Sequence, residues 1–409
     1  MNVPIHSDRS RQDALRISYL LQQYPISTQT FAQSDMAALR AAGHEVCVHT
    51  IKPGASRGSE AGIPVHRPSL RGAVRWPRLA WRMRAAIGSV IGKLMRKAAH
   101  SPRAVAEALA CLPRAVEIAD AVEREGSDVV HLFWARHAAL VLALLEAHGS
   151  KAVRSAFVGA YDLVADDAFV ELAFSSAQIV FSHAEVNRPF LNRRAREDCA
   201  MEIVHRGIPL YPLPTENERD PDLWITASAL VEAKNVEGVL SAFAAALERR
   251  PSLKLRIYGE GPRRAALEQM AARLGCGHAA SFEGHVDRRT LFEAMCGASV
   301  FLLLSEKSSE RLPNVVKEAL WAGCAVIASE TPGIEELLPG SAFGQVVDSR
   351  DEIRIARAVD TVLQLDEATL QKHREEARSH IRANFSAETS MRRYAKVWRE
   401  LRPASPVRS

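Results

Sequence analysis

The sequence predicts an α/β protein made of two doubly wound domains that face each other across a cleft. Short apolar runs of strand length alternate with segments of helical spacing in the N-terminal half, and the same alternation returns in the C-terminal half. This pattern is typical of parallel sheets covered by helices on both faces. A proline-rich polar stretch separates the two series, and 409 residues is a length suited to two or three domains.

The N-terminal domain is predicted to span residues 15–210, after a disordered polar leader over 1–14 that lacks the apolar core of a secretory signal. Its first strand is an uninterrupted apolar run at 15–21, and a helix over 30–42 follows and stops at Gly43. Enrichment in β-branched and apolar residues predicts the further strands. These strands lie at 45–51, 128–133, 152–158, 178–181 and 202–205.

A linker over residues 211–221 is predicted from its prolines and polar residues. The C-terminal domain then spans 222–384, with strands at 223–227, 255–258, 300–304 and 325–329 and helices at 236–249, 262–274 and 313–322. Residues 385–401 form a charged amphipathic helix that we expect to cross back to the N-terminal domain, followed by a tail over 402–409.

A cationic segment over residues 67–103 distinguishes a chain whose formal net charge is only +5. No acidic residue lies between Glu60 and Glu107, and the basic residues of this stretch outnumber the net charge, so the remainder is mildly acidic. This placement favours a local polyanionic partner and not nucleic acid, which needs a wider basic footprint. The basic residues are Arg67, Arg71, Arg75, Arg78, Arg82, Arg84, Lys93, Arg96, Lys97 and Arg103.

The cysteines and the apolar runs exclude several protein classes. The six cysteines are widely spaced and form no Cys-x-x-Cys motif, so we expect reduced thiols and no structural zinc site. No apolar run approaches the roughly 18 residues of a transmembrane helix. These features predict a cytoplasmic protein.

The most informative segment is residues 305–329, SEKSSERLPNVVKEALWAGCAVIAS. Pro313 suits the first position of a helix, and Gly323 suits the left-handed residue that ends one. Because a predicted strand precedes this helix, its first turn lies at the carboxyl edge of the sheet and faces the cleft. There the free amides of Asn314, Val315 and Val316 would attract a phosphate group.

Two carboxylates flank this helix start. Pro313 leaves Glu310 in the preceding loop and places Glu318 in the second helical turn, so each can address one end of a ligand lying across the helix start. This Glu-x7-Glu arrangement resembles the signature of the family 4 (group 1) retaining glycosyltransferases, which have the GT-B fold and include bacterial surface-polysaccharide glycosyltransferases.

Further segments resemble motifs of this family, in the family's order and over nearly the whole chain. They are Gln22-Gln23-Tyr24-Pro25 through Thr30-Phe31, Gly43-His44-Glu45-Val46, His205-Arg206-Gly207-Ile208, Tyr258-Gly259-Glu260-Gly261-Pro262, Phe282-Glu283-Gly284 and Phe385-Ser386-Ala387-Glu388.

The resemblance implies transfer of a sugar, with retention, from a nucleotide-diphosphate sugar to a lipid-linked glycan in polysaccharide or glycoconjugate synthesis, without a metal or cofactor. It implies that Glu310 contacts the donor sugar, Glu318 the ribose and Lys234 the diphosphate. The other implied donor-binding residues are Leu312, Asn314, Val315, Val316, Gly259, Arg206 and Lys307. On the acceptor side they are Gln23, Ser27, Asp162 and His137.

Two positions depart from the family pattern. Ala229 stands where the family has the arginine of its diphosphate loop, and Gly159 stands where it commonly has a histidine. We expect Arg206 or Lys307 to replace the arginine, and His131 to replace the histidine as a catalytic residue, with His137 as the alternative. The losses also favour another hypothesis, a degenerate, non-catalytic partner that binds nucleotide sugar. A same-fold nucleotide-sugar epimerase is a further alternative.

Aromatic residues interleave with the cations of the basic segment. Arg75, Arg78, Trp81, Arg82 and Arg84 suit an anionic membrane surface, such as the inner face of the cytoplasmic membrane. The alternative is a solvated helix whose aromatic side packs on the first domain. Gly72 and Pro77 are predicted to interrupt the helix.

Overall fold

The computed structural model describes residues 14–26, 30–54, 62–68, 70–98, 102–165, 167–194, 196–214, 219–307 and 310–403. The chain divides into two compact units. Unit 1 comprises Met1–His183, Asn187–Arg206 and Ala387–Ser409, and unit 2 comprises Ala184–Val186 and Gly207–Ser386. The division after 206 precedes the predicted one by four residues. The predicted leader and most of the predicted tail lie outside the described residues.

A parallel sheet forms the centre of unit 1. Its strands are β1 (Arg16–Leu21), β2 (Glu45–Thr50), β3 (Val65–His66), β4 (Val129–Phe133), β5 (Val153–Phe157), β6 (Ile179–Ser182) and β7 (Ala200–Ile203). Their order is β3-β2-β1-β4-β5-β6-β7. The order reverses between β1 and β4, which is the doubly wound topology that the alternation of strands and helices predicted.

Helices cover both faces of this sheet. They are α1 (Thr30–Ala41), α2 (Leu70–Arg82), α3 (Arg84–Ala98), α4 (Pro102–Glu125), α5 (Ala139–His148), α6 (Ala160–Ala165), α7 (Ala168–Ser176) and α8 (Arg188–Asn192). The apolar residues of α3, α4, α5 and α7 share one buried cluster with even-numbered residues of β1 and β4. The opposite face packs against α1 and the C-terminal helix.

The helix of the cationic segment is interrupted once, at a position that the sequence did not predict. Gly72 and Pro77, the predicted interruptions, both lie inside α2, and the break between α2 and α3 falls at Met83. Pro77 is exposed, whereas Met83 is buried against the core. The break between the two helices therefore coincides with a buried apolar side chain and not with the proline.

Unit 2 repeats the architecture. Its strands are β8 (Asp220–Ala227), β9 (Lys254–Tyr258), β10 (Ala280–Gly284), β11 (Ala298–Leu303), β12 (Ala325–Ser329) and β13 (Gln345–Val347), in the order β10-β9-β8-β11-β12-β13. All neighbours are parallel, and the order reverses between β8 and β11. Its helices are α9 (Val236–Arg249), α10 (Arg264–Arg273), α11 (Arg288–Gly297), α12 (Asn314–Ala322), α13 (Ile334–Leu337), α14 (Glu352–Leu363) and α15 (Glu367–Asn384).

The closing helix, α16 (Ala387–Leu401), belongs to unit 1. Its Tyr394 and Trp398 are buried against the sheet, and the Trp398 Nε1 donates a hydrogen bond to Ser155 Oγ at 2.9 Å. Among the described residues, no helix is both long enough and apolar enough to cross a bilayer.

Candidate functional site

Two loops of unit 2 meet where the order of its strands reverses. One follows β8 over residues 228–235, and the other follows β11 from residue 304. Glu306 N donates to Ala233 O at 3.0 Å, and Ser305 Oγ donates to the same oxygen at 3.2 Å. Doubly wound sheets bind their ligands at this position, outside the carboxyl ends of the strands.

An ion pair joins the two loops. Lys234 Nζ lies 2.5 Å from Glu310 Oε1, and the two side chains are only 16% and 15% exposed. The second carboxylate oxygen, Glu310 Oε2, is buried and has no hydrogen-bond partner among the residues that the structure describes. A buried acceptor of this kind costs free energy unless a donor reaches it. Glu310 is thus held by Lys234 on one side and open to a hydrogen-bond donor on the other.

The helix start next to this pair differs from the prediction in two details. Pro313 occupies the capping position before α12 and not its first helical position, with φ −56° and ψ 131°. Val316 N donates to Pro313 O at 3.2 Å, so its amide is engaged, while the amides of Asn314 and Val315 precede this first bond of the helix. The predicted group of three free amides is therefore reduced to two.

Leu312 connects Glu310 to this helix in an uncommon backbone conformation. Its φ of 49° lies in the left-handed region, which a branched residue adopts only where its surroundings hold it. Its side chain is buried in the core of unit 2. Leu312 therefore anchors the loop, and a side-chain contact with the donor is not compatible with its position.

Glu318 lies one helical turn beyond the start of α12 and is almost fully buried. Arg288, the first residue of α11, donates from Nε to Glu318 Oε1 at 3.2 Å and pairs with the same oxygen through Nη2. Arg288 was not predicted from the sequence, because a basic residue at a helix start is common and its partner Glu318 is 30 positions away. The pair with Arg288 holds the Glu318 carboxylate in place.

Gly259 and Gly261 are required by the packing of the turn. Gly259 has φ 128°, and a Cβ there would lie 1.8 Å from Ser228 O. A Cβ at Gly261 would lie 2.3 Å from Leu230 O. The two glycines thus let the turn after β9 approach the loop after β8, and this close approach explains them without a ligand.

The two expected replacements for the missing arginine have different surroundings. Lys307 is exposed in the loop after β11, on the same unit as Lys234. Arg206 belongs to unit 1, where it is buried and pairs with Asp35 Oδ2 at 2.7 Å. Its guanidinium also packs against the rings of Phe31, Phe133 and Phe157. The donor-binding role predicted for Arg206 is wrong, since the guanidinium is already enclosed by a carboxylate and three rings.

The catalytic role predicted for His131 is also wrong. His131 is 1% exposed in the core of unit 1, where its ring packs against Tyr19, Tyr394 and Trp398. Its Nδ1 lies 2.9 Å from Ser155 Oγ. Burial, together with the charge of Arg206, lowers the pKa of His131 to about 3. The imidazole is therefore a neutral core group with no route to a substrate.

The predicted acceptor-side residues do not form one cluster. Asp162 is buried and accepts a hydrogen bond from Gly159 N at 2.9 Å, and burial raises its pKa to about 6. His137 Nε2 lies 3.1 Å from Glu107 Oε2 on α4. Gln23 is half-buried in the loop after β1, and Ser27 lies outside the described residues. Their acceptor-side roles remain predictions.

One surface of α2 and α3 carries the predicted membrane residues. Trp81 is 71% exposed, and the guanidinium carbon of Arg84 lies 4.6 Å from the centre of its ring. Arg75 and Arg78 are exposed on the same helix, while Arg82 pairs with Asp120 of α4 at 2.7 Å. We refer to Arg75, Arg78, Trp81 and Arg84 as the Trp81 face.

Comparisons with known proteins agree with this description of unit 2. Residues 214–380 match the family described as glycosyl transferases group 1. An exopolysaccharide phosphotransferase of Streptomyces coelicolor is 30% identical over 173 residues, which are 42% of this chain and 18% of that protein. A putative colanic acid biosynthesis glycosyltransferase, WcaL of Escherichia coli, is 24% identical over 194 residues, 46% of this chain and 48% of that protein. The chain thus spans less than half of each of these curated relatives.

A solved structure covers nearly the whole chain. HepE of Anabaena, in complex with UDP, superposes with a TM-score of 0.69 at 14% identity, over 94% of this chain and all of that one. A likeness at this identity shows the fold, and the fold is GT-B, with two Rossmann-like domains built on parallel sheets. The fold class predicted from the sequence is confirmed.

Proposed function

We propose that the chain transfers a sugar from a nucleotide-diphosphate sugar, with retention and without a metal, since its residues 214–380 match the family described as glycosyl transferases group 1. The acceptor in this proposal is a lipid-linked glycan, and the product is a polysaccharide or glycoconjugate made at the cytoplasmic face of a membrane. The relatives named for exopolysaccharide and colanic acid, and the neighbour solved with UDP, support this direction.

One observation carries the proposal: the buried, unpartnered Oε2 of Glu310 beside the Lys234 ion pair. A sugar hydroxyl is a neutral donor that can satisfy this oxygen. The ammonium of Lys234 lies at the same carboxylate and can face a phosphate on its other side. A ligand that is a sugar at one end and a diphosphate at the other fits both groups.

The sugar-transfer reaction needs few further groups beyond this ion pair. When the bond between the anomeric carbon and the phosphate oxygen breaks, the diphosphate gains negative charge. Lys234 and the amides of Asn314 and Val315 would stabilise that charge without reorganising. The acceptor hydroxyl would attack from the leaving-group face and form the new glycosidic bond, and the departing phosphate would take its proton. Glu318, fixed by Arg288, would accept hydrogen bonds from the ribose.

Release of free nucleotide diphosphate from a panel of nucleotide sugars, with and without membrane lipid extract, tests the proposal. We expect release from one donor, and a loss of about 100-fold or more in Glu310→Gln, because one amide oxygen cannot serve both Lys234 and the sugar. Glu293→Gln, on an exposed surface pair with Arg289, is the matched control and should turn over like the wild type.

Equal turnover of the wild type and Glu310→Gln would refute the role of Glu310. Absence of release from every donor, with a normal unfolding transition, would overturn the transferase proposal. Calorimetric binding of a nucleotide sugar without turnover would then favour the non-catalytic partner, and the loss of the usual arginine at Ala229 would be its explanation.

We further propose that the Trp81 face binds an anionic membrane surface. Trp81 is exposed beside cations, while Leu79 and Met83 of the same segment are buried, so the aromatic ring is not needed for packing. Each arginine near an anionic leaflet contributes about 1 kcal/mol of binding. We expect Arg75→Gln with Arg78→Gln to weaken binding to phosphatidylglycerol vesicles about 30-fold.

Sedimentation with vesicles measures this binding. Arg289→Gln, a surface arginine of unit 2, is the control and should bind like the wild type. Equal binding of the double variant and the wild type would contradict the assignment, and binding to neutral vesicles that matches the anionic ones would do the same.

A further inference from the structure

Four side chains with metal-binding atoms converge at one edge of the sheet in unit 1. Cys47 and His49 are two residues apart on β2 and so point to the same face of the sheet. His66 of β3 lies beside His49 in the strand register, and Glu125 is the last residue of α4, which covers that face. The sulfur, the ring nitrogens and a carboxylate oxygen all lie within 4.8 Å of one another.

The spacing of these atoms differs from that of an ordinary hydrogen-bond network. His49 Nε2 lies 3.5 Å from Cys47 Sγ, 3.6 Å from Glu125 Oε2 and 3.3 Å from Ser18 Oγ. One ring nitrogen can take part in one good hydrogen bond, and at these distances none of the three is short. Around a tetrahedral zinc ion, neighbouring ligand atoms are roughly 3.3–3.8 Å apart. His49 Nε2 has such separations from Cys47 Sγ and Glu125 Oε2. Cys47 Sγ and Glu125 Oε2 are 4.0 Å apart and all four groups stay within 4.8 Å, so a small contraction would place them around a common centre.

We propose that Cys47, His49, His66 and Glu125 bind one divalent transition-metal ion of the zinc class. A thiolate and two imidazoles select such an ion over magnesium or calcium, which prefer oxygen ligands. The thiolate and the carboxylate together balance its double positive charge. The site is separate from the sugar-transfer chemistry, and the proposal does not depend on the proposed function.

Hydrogen bonds from neighbouring groups hold the four proposed ligands in position. Ser18 Oγ lies 3.3 Å from Cys47 Sγ and 2.8 Å from Ser127 Oγ, so a short hydroxyl chain backs the sulfur. Arg114 Nη2 donates to His66 O at 2.6 Å, and this bond fixes the backbone that carries the exposed imidazole. Glu125 ends α4, where the carbonyl end of the helix dipole favours a cation. Such supporting contacts orient ligands in metal sites generally.

The metal would act as a clamp on the edge of the sheet. β3 has only two residues, and it is joined to β2 by one short stretch of register. A bound ion would tie β3 to β2 and to the end of α4. Since α2 begins at Leu70, four residues after His66, the clamp would also fix where the helix that carries the Trp81 face begins.

Cobalt provides the direct test, because a cobalt–thiolate bond gives a charge-transfer absorption that ordinary proteins lack. The full chain is stripped with a chelator and titrated with Co²⁺, and Zn²⁺ is then added to displace it. We expect one equivalent of Co²⁺ with a tetrahedral spectrum, displacement by Zn²⁺, and a higher melting temperature with Zn²⁺ than without. Cys47→Ser should abolish the thiolate absorption, and His66→Ala should weaken Co²⁺ binding by about tenfold or more.

Cys111→Ser is the matched control, because Cys111 is also a partly buried free thiol of unit 1. It should keep the absorption, the stoichiometry and the Zn²⁺-dependent rise in melting temperature. His66 is exposed, so His66→Ala keeps the test decisive if Cys47→Ser fails to fold. Absence of saturable binding near one equivalent, or a thiolate absorption that survives in Cys47→Ser, would overturn the proposal. Unchanged affinity in His66→Ala would overturn it as well.

Discussion

Two ion pairs, one in each unit, are largely shielded from water, and they differ in what surrounds them. In unit 1, Arg206 and Asp35 are 7% and 4% exposed, and three phenylalanine rings pack against the guanidinium. In unit 2, Lys234 and Glu310 are 16% and 15% exposed and lie on two loops at the strand reversal. The pair of unit 2 leaves one buried carboxylate oxygen without a partner in the described part of the chain.

The comparison shows which property of a buried charge points to ligand binding. Burial alone does not, since the pair of unit 1 is the more buried of the two. The surroundings distinguish them: aromatic rings enclose Arg206, whereas Lys234 and Glu310 lie on loops at the edge where doubly wound sheets bind ligands. The first pair is therefore expected to act on stability and the second on turnover.

Removing the positive charge of Arg206 in unit 1 should have the largest effect, and that effect is on stability. Arg206→Met should lower the free energy of unfolding by about 3–5 kcal/mol, because Asp35 is left as a buried charge without its partner. Urea denaturation followed by circular dichroism measures this loss. Turnover per folded molecule should stay close to that of the wild type.

The double variant Arg206→Met with Asp35→Leu sharpens this prediction. Replacing both members by apolar groups removes the uncompensated charge, so it should recover part of the lost stability. A single variant as stable as the wild type would contradict the structural role of the pair. A stable Arg206→Met that had lost turnover would restore the donor-binding role that the structure argues against.

Removing the cation of unit 2 should give the opposite outcome. Lys234→Met should lower turnover by about 100- to 1,000-fold, since no ammonium then faces the developing charge of the leaving diphosphate. Its free energy of unfolding should fall by less than that of Arg206→Met, because the Lys234–Glu310 pair is the more exposed of the two. Steady-state kinetics and urea denaturation on the same preparation separate the two effects.

The double variant Lys234→Met with Glu310→Gln provides the internal control. Residues that act as a unit are not additive, so the double variant should be little slower than the slower single variant. Fully additive losses would mean that the two side chains act separately, and the shared site would be refuted. A loss of stability as large as that of Arg206→Met would remove the contrast between the units.

The sequence was sufficient for the elements with strong local signals. The helix at 236–249 and the strand at 325–329 have the predicted bounds, because each is a continuous periodic or β-branched segment. The closing helix ends at the predicted Leu401 and begins at Ala387, two residues later than predicted. The short strands β3, β10 and β13 were not predicted. They are half-exposed, with little apolar alternation, and each pairs with one neighbouring strand at the edge of its sheet.

The candidate site also has features that the sequence predicted and features that it did not. The loop with Glu310 and the helix start at Asn314 were predicted, since proline and glycine fix their local geometry, whereas Lys234 was predicted from the family resemblance. Burial was not available from one sequence, so His131 and Arg206 were placed in the site although both lie in the core of unit 1. The Arg288–Glu318 pair and the cluster around Cys47 depend on contacts between distant segments, which local patterns do not encode.

A smaller effect concerns a buried acid of unit 1 that is held by backbone amides. Burial raises the pKa of Asp162 to about 6, and the hydrogen bond from Gly159 N opposes that rise only in part. The folded state therefore binds the proton more tightly than the unfolded chain, whose aspartates have a pKa near 3.9. As the pH rises from about 4 to 6, stability should fall by up to about 3 kcal/mol. Asp162→Asn should lose this decline.

Unfolding free energies of the wild type and Asp162→Asn, measured from pH 4 to 7, isolate this contribution. His131 acts in the opposite direction, since its pKa is lowered to about 3 and its protonation favours the unfolded chain as the pH falls below about 6.5. That effect is common to both proteins and cancels in their difference, which should grow with pH and level off above about pH 6. A difference that does not change with pH would mean that Asp162 is ionised in the fold throughout this range. The Asp162 carboxylate would then be available as a hydrogen-bond acceptor, and the acceptor-side role predicted from the sequence would gain support.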